Sequence, residues 1–265
     1  MSEDRVLIER HGRVLKIVNN DPKTLNSLSP VFYDGFREAM EQAADDDGVG
    51  AIVLTGAARF FCSGGNLNSI QERRTQDLAT RRLGVDKLHD MILTMRNLPK
   101  PIIAAVDGGA AGAGASIMAA CDLIVGARDA YASVAYIKVG LTPDGGSTAF
   151  IGTSVPRHLM AEMLFTGDRI PLERLHQVGL VNRLTEPDQA LEAAMDWAAQ
   201  IADMPTRALA YGKKLIGAAR LNELKAQLDM EADGIAEAMG GVEAGEGISA
   251  FLAKRKPDWS KTRDA

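Results

Sequence analysis

Apolar and polar positions alternate from the start of the chain. Val6-Leu7-Ile8 and Val14-Leu15-Lys16-Ile17-Val18 flank His11-Gly12, a pattern that predicts a β-hairpin. Asn19 to Ser27 is polar and reads as a loop. Ser29-Pro30 marks a helix start, an N-cap followed by proline at the first helical position. Phe32, Phe36, Met40 and Ala43 then share one face, and Asp45-Asp46-Asp47-Gly48 ends the helix. Ala51 to Leu54 predicts a short buried strand, and Phe60 to Leu67 is an apolar run that gives way to Gly64-Gly65. Residues 68–97 carry Arg73, Arg74, Arg81, Arg82 and Lys87 and read as charged and irregular. Their two readings are a solvated helix face and a rim that meets a phosphate-bearing ligand.

The central stretch is Pro101 to Asp122. Ile102 to Val106 has the composition of a buried strand, Gly108, Gly109, Gly112 and Gly114 break it, and Ala115 to Ala120 predicts a helix packed inside the protein. Strand, glycine turn and buried helix aim unpaired backbone N–H groups at a ligand, where the helix macrodipole adds partial positive charge. The phosphate motifs do not fit: Ile117 stands where a dinucleotide fingerprint needs its third glycine, and Ala115 where a P-loop needs lysine. Met118 also breaks the pattern of a nucleophile elbow. Two readings stay open on this stretch alone: a backbone pocket for a developing oxyanion, or a glycine-rich helix–sheet contact with no ligand.

Leu123 to Val125 predicts a further strand, and Gly140 to Gly146 a third glycine break. Strands alternating with helices to residue 183 predict an α/β architecture, and repeated strand–glycine–helix units suggest repeat-like construction, with weak self-similarity. Leu191, Ala194, Met195, Ala198 and Ile201 share a helix face; Met204-Pro205 is a break; helices follow near 206–219, 222–239 and 245–255. The division expected is an α/β core over 1–203 and a helical region over 204–265.

Composition narrows the classes. The 265 residues are 46% hydrophobic and 25% charged, an ordinary globule, and a formal net charge of −5 gives no electrostatic reason to expect nucleic acid. Cys62 and Cys121 have no metal spacing and point to a reducing compartment. The opening MSEDRVLIER has no apolar signal core and no run is long enough to span a membrane, so the expected location is cytoplasmic. His11, His89, His158 and His176 are scattered, and no metal is expected.

Four segments together carry a resemblance: Phe61 to Leu67, Val106 to Asp122, Val139 to Gly146, and Glu246 to Arg255. In order and separation they resemble the signatures of the crotonase (enoyl-CoA hydratase/isomerase) superfamily over nearly the whole chain. That resemblance implies an α/β spiral of β-β-α units with a helical C-terminal region that builds a homotrimer or a dimer of trimers. It implies an acyl-coenzyme A thioester as ligand, with coenzyme A part of the substrate and no separate cofactor, and neither nucleic acid nor membrane as partner. The backbone N–H groups of Gly65 and Ala113 would hold the thioester oxygen.

The two glutamates of the family's hydratases would fall at Ser116 and Tyr136, where neither is a carboxylate. Asp144, in Gly140-Leu141-Thr142-Pro143-Asp144-Gly145-Gly146, matches the acidic position of double-bond isomerases in the branch that includes 1,2-epoxyphenylacetyl-CoA isomerases. Read without the resemblance, Pro-Asp-Gly-Gly is a turn. The resemblance also implies substrate contacts from Lys23, Leu25, Ser63, Asn66, Leu67, Gly112, Tyr136, Pro143, Phe251 and Lys254, although Asn66 replaces the usual aspartate and the two lysines read equally well as surface residues. The reaction implied is isomerisation through a thioester enolate with Asp144 as proton shuttle. The alternatives are hydration, thioester hydrolysis, dehalogenation or acyl-CoA binding without turnover.

Overall fold

A computed structural model describes residues 5–73, 75–219 and 242–262. Val6–His11 (β1) and Val14–Asn19 (β2) pair antiparallel from Val6↔Asn19 to His11↔Val14, which leaves Gly12-Arg13 as the turn. Pro30–Asp45 (α1) starts as its cap predicts, with Ser29 Oγ accepting from the Phe32 amide, and it buries Phe32, Phe36, Ala39, Met40 and Ala43. Ala51–Gly56 (β3), Ile102–Val106 (β4), Leu123–Ala127 (β6) and Arg183–Thr185 (β9) complete a six-stranded sheet in the order β1-β2-β3-β4-β6-β9, parallel after the first pair. A smaller sheet holds Gly109–Ala111 (β5), Tyr131–Ser133 (β7) and Ile170–Pro171 (β8).

These strands build the spiral of β-β-α units that the resemblance implies. β4 joins the large sheet, β5 the small one, and Ala113–Ala120 (α4) follows. β6 and β7 repeat the step and lead to Ser147–Phe150 (α5) and Arg157–Thr166 (α6). An earlier unit runs from β3 through a single parallel bridge, Cys62↔Ala110, to Leu67–Arg73 (α2) and Leu78–Asn97 (α3).

β4 reads as an unbroken apolar run because both of its faces are covered. Ile102, Ala104 and Val106 join the core formed with α1 and α3, while Ile103 and Ala105 pack on Ala190–Ala202 (α8). On α8 the fully buried stripe is Ala190, Ala194, Ala198 and Ala202. Leu191, Met195 and Ile201 of the expected face are only partly buried and flank that stripe. Small side chains let the helix lie close: a Cβ on Gly50 would stand 2.5 Å from the Ala202 carbonyl oxygen.

For residues 68–97 the irregular character expected is corrected and the helix-face reading holds. They form α2 and α3, and α3 buries Leu88, Met91, Ile92 and Met95 at helical spacing, each contributing about 1.5–3 kcal/mol of burial. Its Arg81, Arg82 and Lys87 are exposed, as a solvated face requires. After Leu172–Gln177 (α7), β9 and α8, the break at Met204-Pro205 leads to Thr206–Ala218 (α9). A last helix spans Val242–Leu252, beginning before the expected 245. The helix expected over 222–239 lies outside the described residues, as does Arg74. Among the described residues no helix is long and apolar enough to cross a membrane.

Candidate active site

The site assembles where the three glycine breaks meet. The loop before α1 is held by Asn26, fully buried, whose side chain accepts from the Asp21 amide at 2.9 Å and donates to the Ala57 carbonyl at 2.8 Å. Leu25, half-exposed, has its carbonyl taken by the Ser63 amide at 3.0 Å, and Ser63 Oγ donates to the Thr24 carbonyl at 2.9 Å. Lys23 is exposed on the same turn. Asn66 acts locally, since its side-chain oxygen accepts from the amides of Asn68 and Ser69 and caps α2, with Leu67 exposed beside it.

Gly64 places Gly65. Its φ is +89°, and a Cβ there would stand 2.7 Å from the Ala111 carbonyl and 3.0 Å from the Ala113 amide nitrogen. A Cβ on Gly114 would stand 2.1 Å from the Cys62 carbonyl. Only glycines let the Cys62–Gly65 segment lie against the N-terminus of α4. Among the described residues, no hydrogen bond uses the amide N–H of Gly65 or of Ala113. Ala113 is the first residue of an eight-residue helix, where an N–H has no intrahelical acceptor and the macrodipole is positive.

Asp144 stands in the third break. Its carboxylate Oδ1 accepts from the Tyr136 hydroxyl at 2.7 Å, and its main-chain oxygen accepts from Ser116 Oγ at 3.0 Å. Ser116 Oγ and the Tyr136 hydroxyl lie 3.3 Å apart. The next residue, Gly145, has φ +58°, and a Cβ there would meet Leu88 Cδ2 at 2.9 Å and Ser116 Cβ at 3.0 Å, so α3 and α4 hold the break in place. Pro143 is half-buried before it. The Tyr136 ring leans over Gly112: its Cζ is 4.0 Å from where a Cβ on Gly112 would be. Asp144, Tyr136, Gly112 and Ala113 thus form one continuous wall.

Burial pushes the Asp144 carboxyl above the usual range, against the Tyr136 hydrogen bond and the His89 charge, which pull it down. Burial, then the Asp144 charge, pushes the Tyr136 phenol up, so it stays a neutral donor. Tyr33 of α1 is raised by burial and then by the charges of Cys62 and Asp144, which places it beside this group. Burial pushes the Cys62 thiol up to about 12, which removes it as a thiolate nucleophile near neutral pH.

Three members of the group were not singled out as site residues from sequence. Ser116 marks a position without a carboxylate, yet its hydroxyl sits one turn into α4 and reaches Asp144. Tyr33 lies one residue beside the apolar face of α1, and His89 follows buried Leu88 on α3; the helical spacing of α3 would have revealed its inner face. Of the expected residues, Lys23, Asn66, Leu67 and Lys254 have no hydrogen bond or ion pair to the group among the described residues. Lys254 is exposed after the last helix. Phe251 lies on that helix, and its side chain is outside those described.

A cleft of about 750 Å³ lies at the other end of α4, lined in part by Ala119, Cys121, Asp122, Phe150 and Lys213. Its charged groups satisfy one another: Lys213 Nζ is 2.7 Å from Asp122 Oδ2 and donates to the carbonyls of Met95 and Lys100, and Arg96 pairs with Asp122 at 3.3 Å. It ties α9 to the core and includes none of the Asp144 group. Among the described residues no cluster of three or more His, Cys, Asp or Glu could hold a metal ion.

Comparison with known proteins agrees with this geometry. A family model described as enoyl-CoA hydratase/isomerase matches residues 9–262. A 1,2-epoxyphenylacetyl-CoA isomerase of Escherichia coli is 32% identical over 93% of this chain and 95% of its own. A 2,3-dehydroadipyl-CoA hydratase of the same organism is also 32% identical, over 98% and 99%. The crystal structure of an enoyl-CoA hydratase from Polaromonas sp. JS666 superposes with a TM-score of 0.93 at 38% identity, covering 96% of this chain and 98% of that one. With the β-β-α spiral and a family match that spans almost the whole sequence, the chain belongs to the enoyl-CoA hydratase/isomerase (crotonase) family.

Proposed function

We propose that the protein is an acyl-CoA isomerase that shifts a double bond, or rearranges a related ring or epoxide, through a thioester enolate. The carrying observation is the site around Asp144: a half-buried carboxylate whose proton affinity burial raises, held by the Tyr136 hydroxyl, in a fold where the backbone N–H groups of Gly65 and Ala113 meet no acceptor among the described residues. Gly65 and Ala113 would hold the thioester oxygen as it gains charge. Removing one such donor costs about 2.7–4 kcal/mol in other enzymes, so this pocket would carry much of the rate.

Asp144 would take a proton from an acidic carbon of the acyl chain as the electron pair moves to the thioester oxygen. It would then return that proton at another carbon, with no net gain or loss. Hydration through paired glutamates is disfavoured because the two corresponding positions hold Ser116 and Tyr136, which are bonded to Asp144. Exposed Lys23, and Leu25 and Ser63 joined by the Ser63 amide, are the residues this reading gives to coenzyme A.

Product analysis by NMR and mass spectrometry on a panel of 3-enoyl-, 2-enoyl-, epoxy- and aryl-CoA thioesters tests this reading. The expected result is a product of unchanged mass with a moved double bond or rearranged ring. Addition of water, release of free coenzyme A or loss of halide would replace it with one of the other family reactions. Tight binding with no turnover of any panel member would make the protein a binder.

A further inference from the structure

The two positions at which the resemblance would place hydratase glutamates are built into the support of Asp144. Tyr136 lies on the short 3-10 helix Ala135–Val139, whose end is pinned by the Leu141 amide donating to the Tyr136 carbonyl at 3.0 Å. From there its hydroxyl reaches Oδ1 of Asp144 at 2.7 Å. Ser116, fully buried in α4, donates to the main-chain oxygen of the same aspartate. Carboxylate and backbone are therefore held from two different elements. Among the described residues, no hydrogen bond occupies Oδ2.

We infer that Tyr136 is a positioning residue for the proton shuttle: its hydroxyl fixes one oxygen of Asp144, with Ser116 bracing the backbone behind it, and leaves Oδ2 as the single oxygen that exchanges protons with the acyl chain. This inference rests on the isomerase reading and adds the device that makes one carboxylate sufficient. A freely turning carboxylate could present either oxygen at any angle. A clamped one presents Oδ2 at one angle, so that a single oxygen can serve both carbons of the enolate. The clamp also sets the working pH. Around Asp144 stand Tyr33 from α1, His89 from α3, Ser116 from α4 and Tyr136. Of these, Tyr136 makes the hydrogen bond that most favours the charged base.

Tyr136→Phe tests the inference, because it removes the hydroxyl and keeps the ring over Gly112. On a thioester that the wild type isomerises, kcat is expected to fall about 10- to 100-fold, as for a lost hydrogen bond to a charged group. KM is expected to stay within about threefold. The acid limb of the kcat profile is expected to move up by about one pH unit, since the base loses a donor that favours its charged form. In an Asp144→Asn background the same substitution is expected to change kcat less than about twofold, because two residues acting as a unit do not add. Ser116→Ala, which keeps the phenol, is expected to leave the acid limb in place. Equal losses from Tyr136→Phe in both backgrounds, or an unmoved acid limb, would overturn the clamp while leaving the shuttle intact. Full turnover by Asp144→Asn alone would overturn the shuttle itself.

Discussion

Asp144 is both a turn residue and a hydrogen-bonded side chain. As a turn residue, its main-chain oxygen accepts from the Ser147 amide at 3.3 Å; as a side chain, it meets the Tyr136 hydroxyl. Sequence could not separate the two, because Pro-Asp-Gly-Gly makes a turn whatever the carboxylate faces. The deciding partners lie 28 and 8 residues away, at Ser116 and Tyr136. The environment has a cost that can be measured. A carboxyl with a higher pKa folded than unfolded binds its proton more tightly in the native state. Its ionisation therefore removes stability as pH rises from the unfolded value, about 4, through the folded one. Asp144→Asn is thus expected to melt at the same or a higher temperature than the wild type at pH 7, with any gain closing below about pH 4. Thermal melts at the two pH values check this, and a lower melting temperature at pH 7 would contradict it.

At the scale of elements, β4 and α4 were legible and α3 was not. Ile102 to Val106 is apolar at every position because α1, α3 and α8 together cover both faces, so its strand character survives without context. The glycines between β4 and α4 announced a backbone site, but only the fold shows which segment completes it. Cys62–Gly65 comes from the preceding unit and touches α4 through Gly64 and Gly114. The charges of α3 hid a clean inner face of Leu88, Met91, Ile92 and Met95. The buried face of α8 is narrower than the sequence pattern, because close approach to the sheet favours the smallest side chains. Gly64→Ala tests the contact between segment and helix. Its left-handed backbone costs an alanine about 1–2 kcal/mol, and the added Cβ would press on the Ala111 carbonyl and the Ala113 amide. The expected outcome is a folded protein with a lower melting temperature and kcat reduced about 10²- to 10³-fold, the loss seen when an oxyanion donor is misplaced. Calorimetry and steady-state kinetics read the two effects, and a stable variant with full kcat would show that the pocket does not depend on this contact.

For the whole molecule, the spiral was legible only through four short segments in register. The repeat of β-β-α units shows in the sequence only as recurring strand–glycine–helix patterns with weak self-similarity, because each unit keeps its path while changing its side chains. The three units sit on different neighbours: α3 on α1, α4 on α3 and α5, and α6 on the Ala135–Val139 helix. The same scaffold also explains why the family is clear and the reaction is not. A backbone oxyanion pocket needs few particular side chains, so an isomerase and a hydratase can each share 32% identity with this chain. On the proposed isomerase reading, what separates the reactions is the group above the pocket, Asp144, held by Tyr136 and Ser116.

The most direct measurement is turnover of a 3-enoyl-CoA thioester by the wild type and by Asp144→Asn, with thioester binding followed in parallel by calorimetry. The wild type is expected to convert it to the 2-enoyl isomer. The variant is expected to lose about 10²- to 10⁴-fold in kcat, the range of a removed acid–base group, with binding retained. Undiminished isomerisation by Asp144→Asn would contradict Asp144 as the proton shuttle.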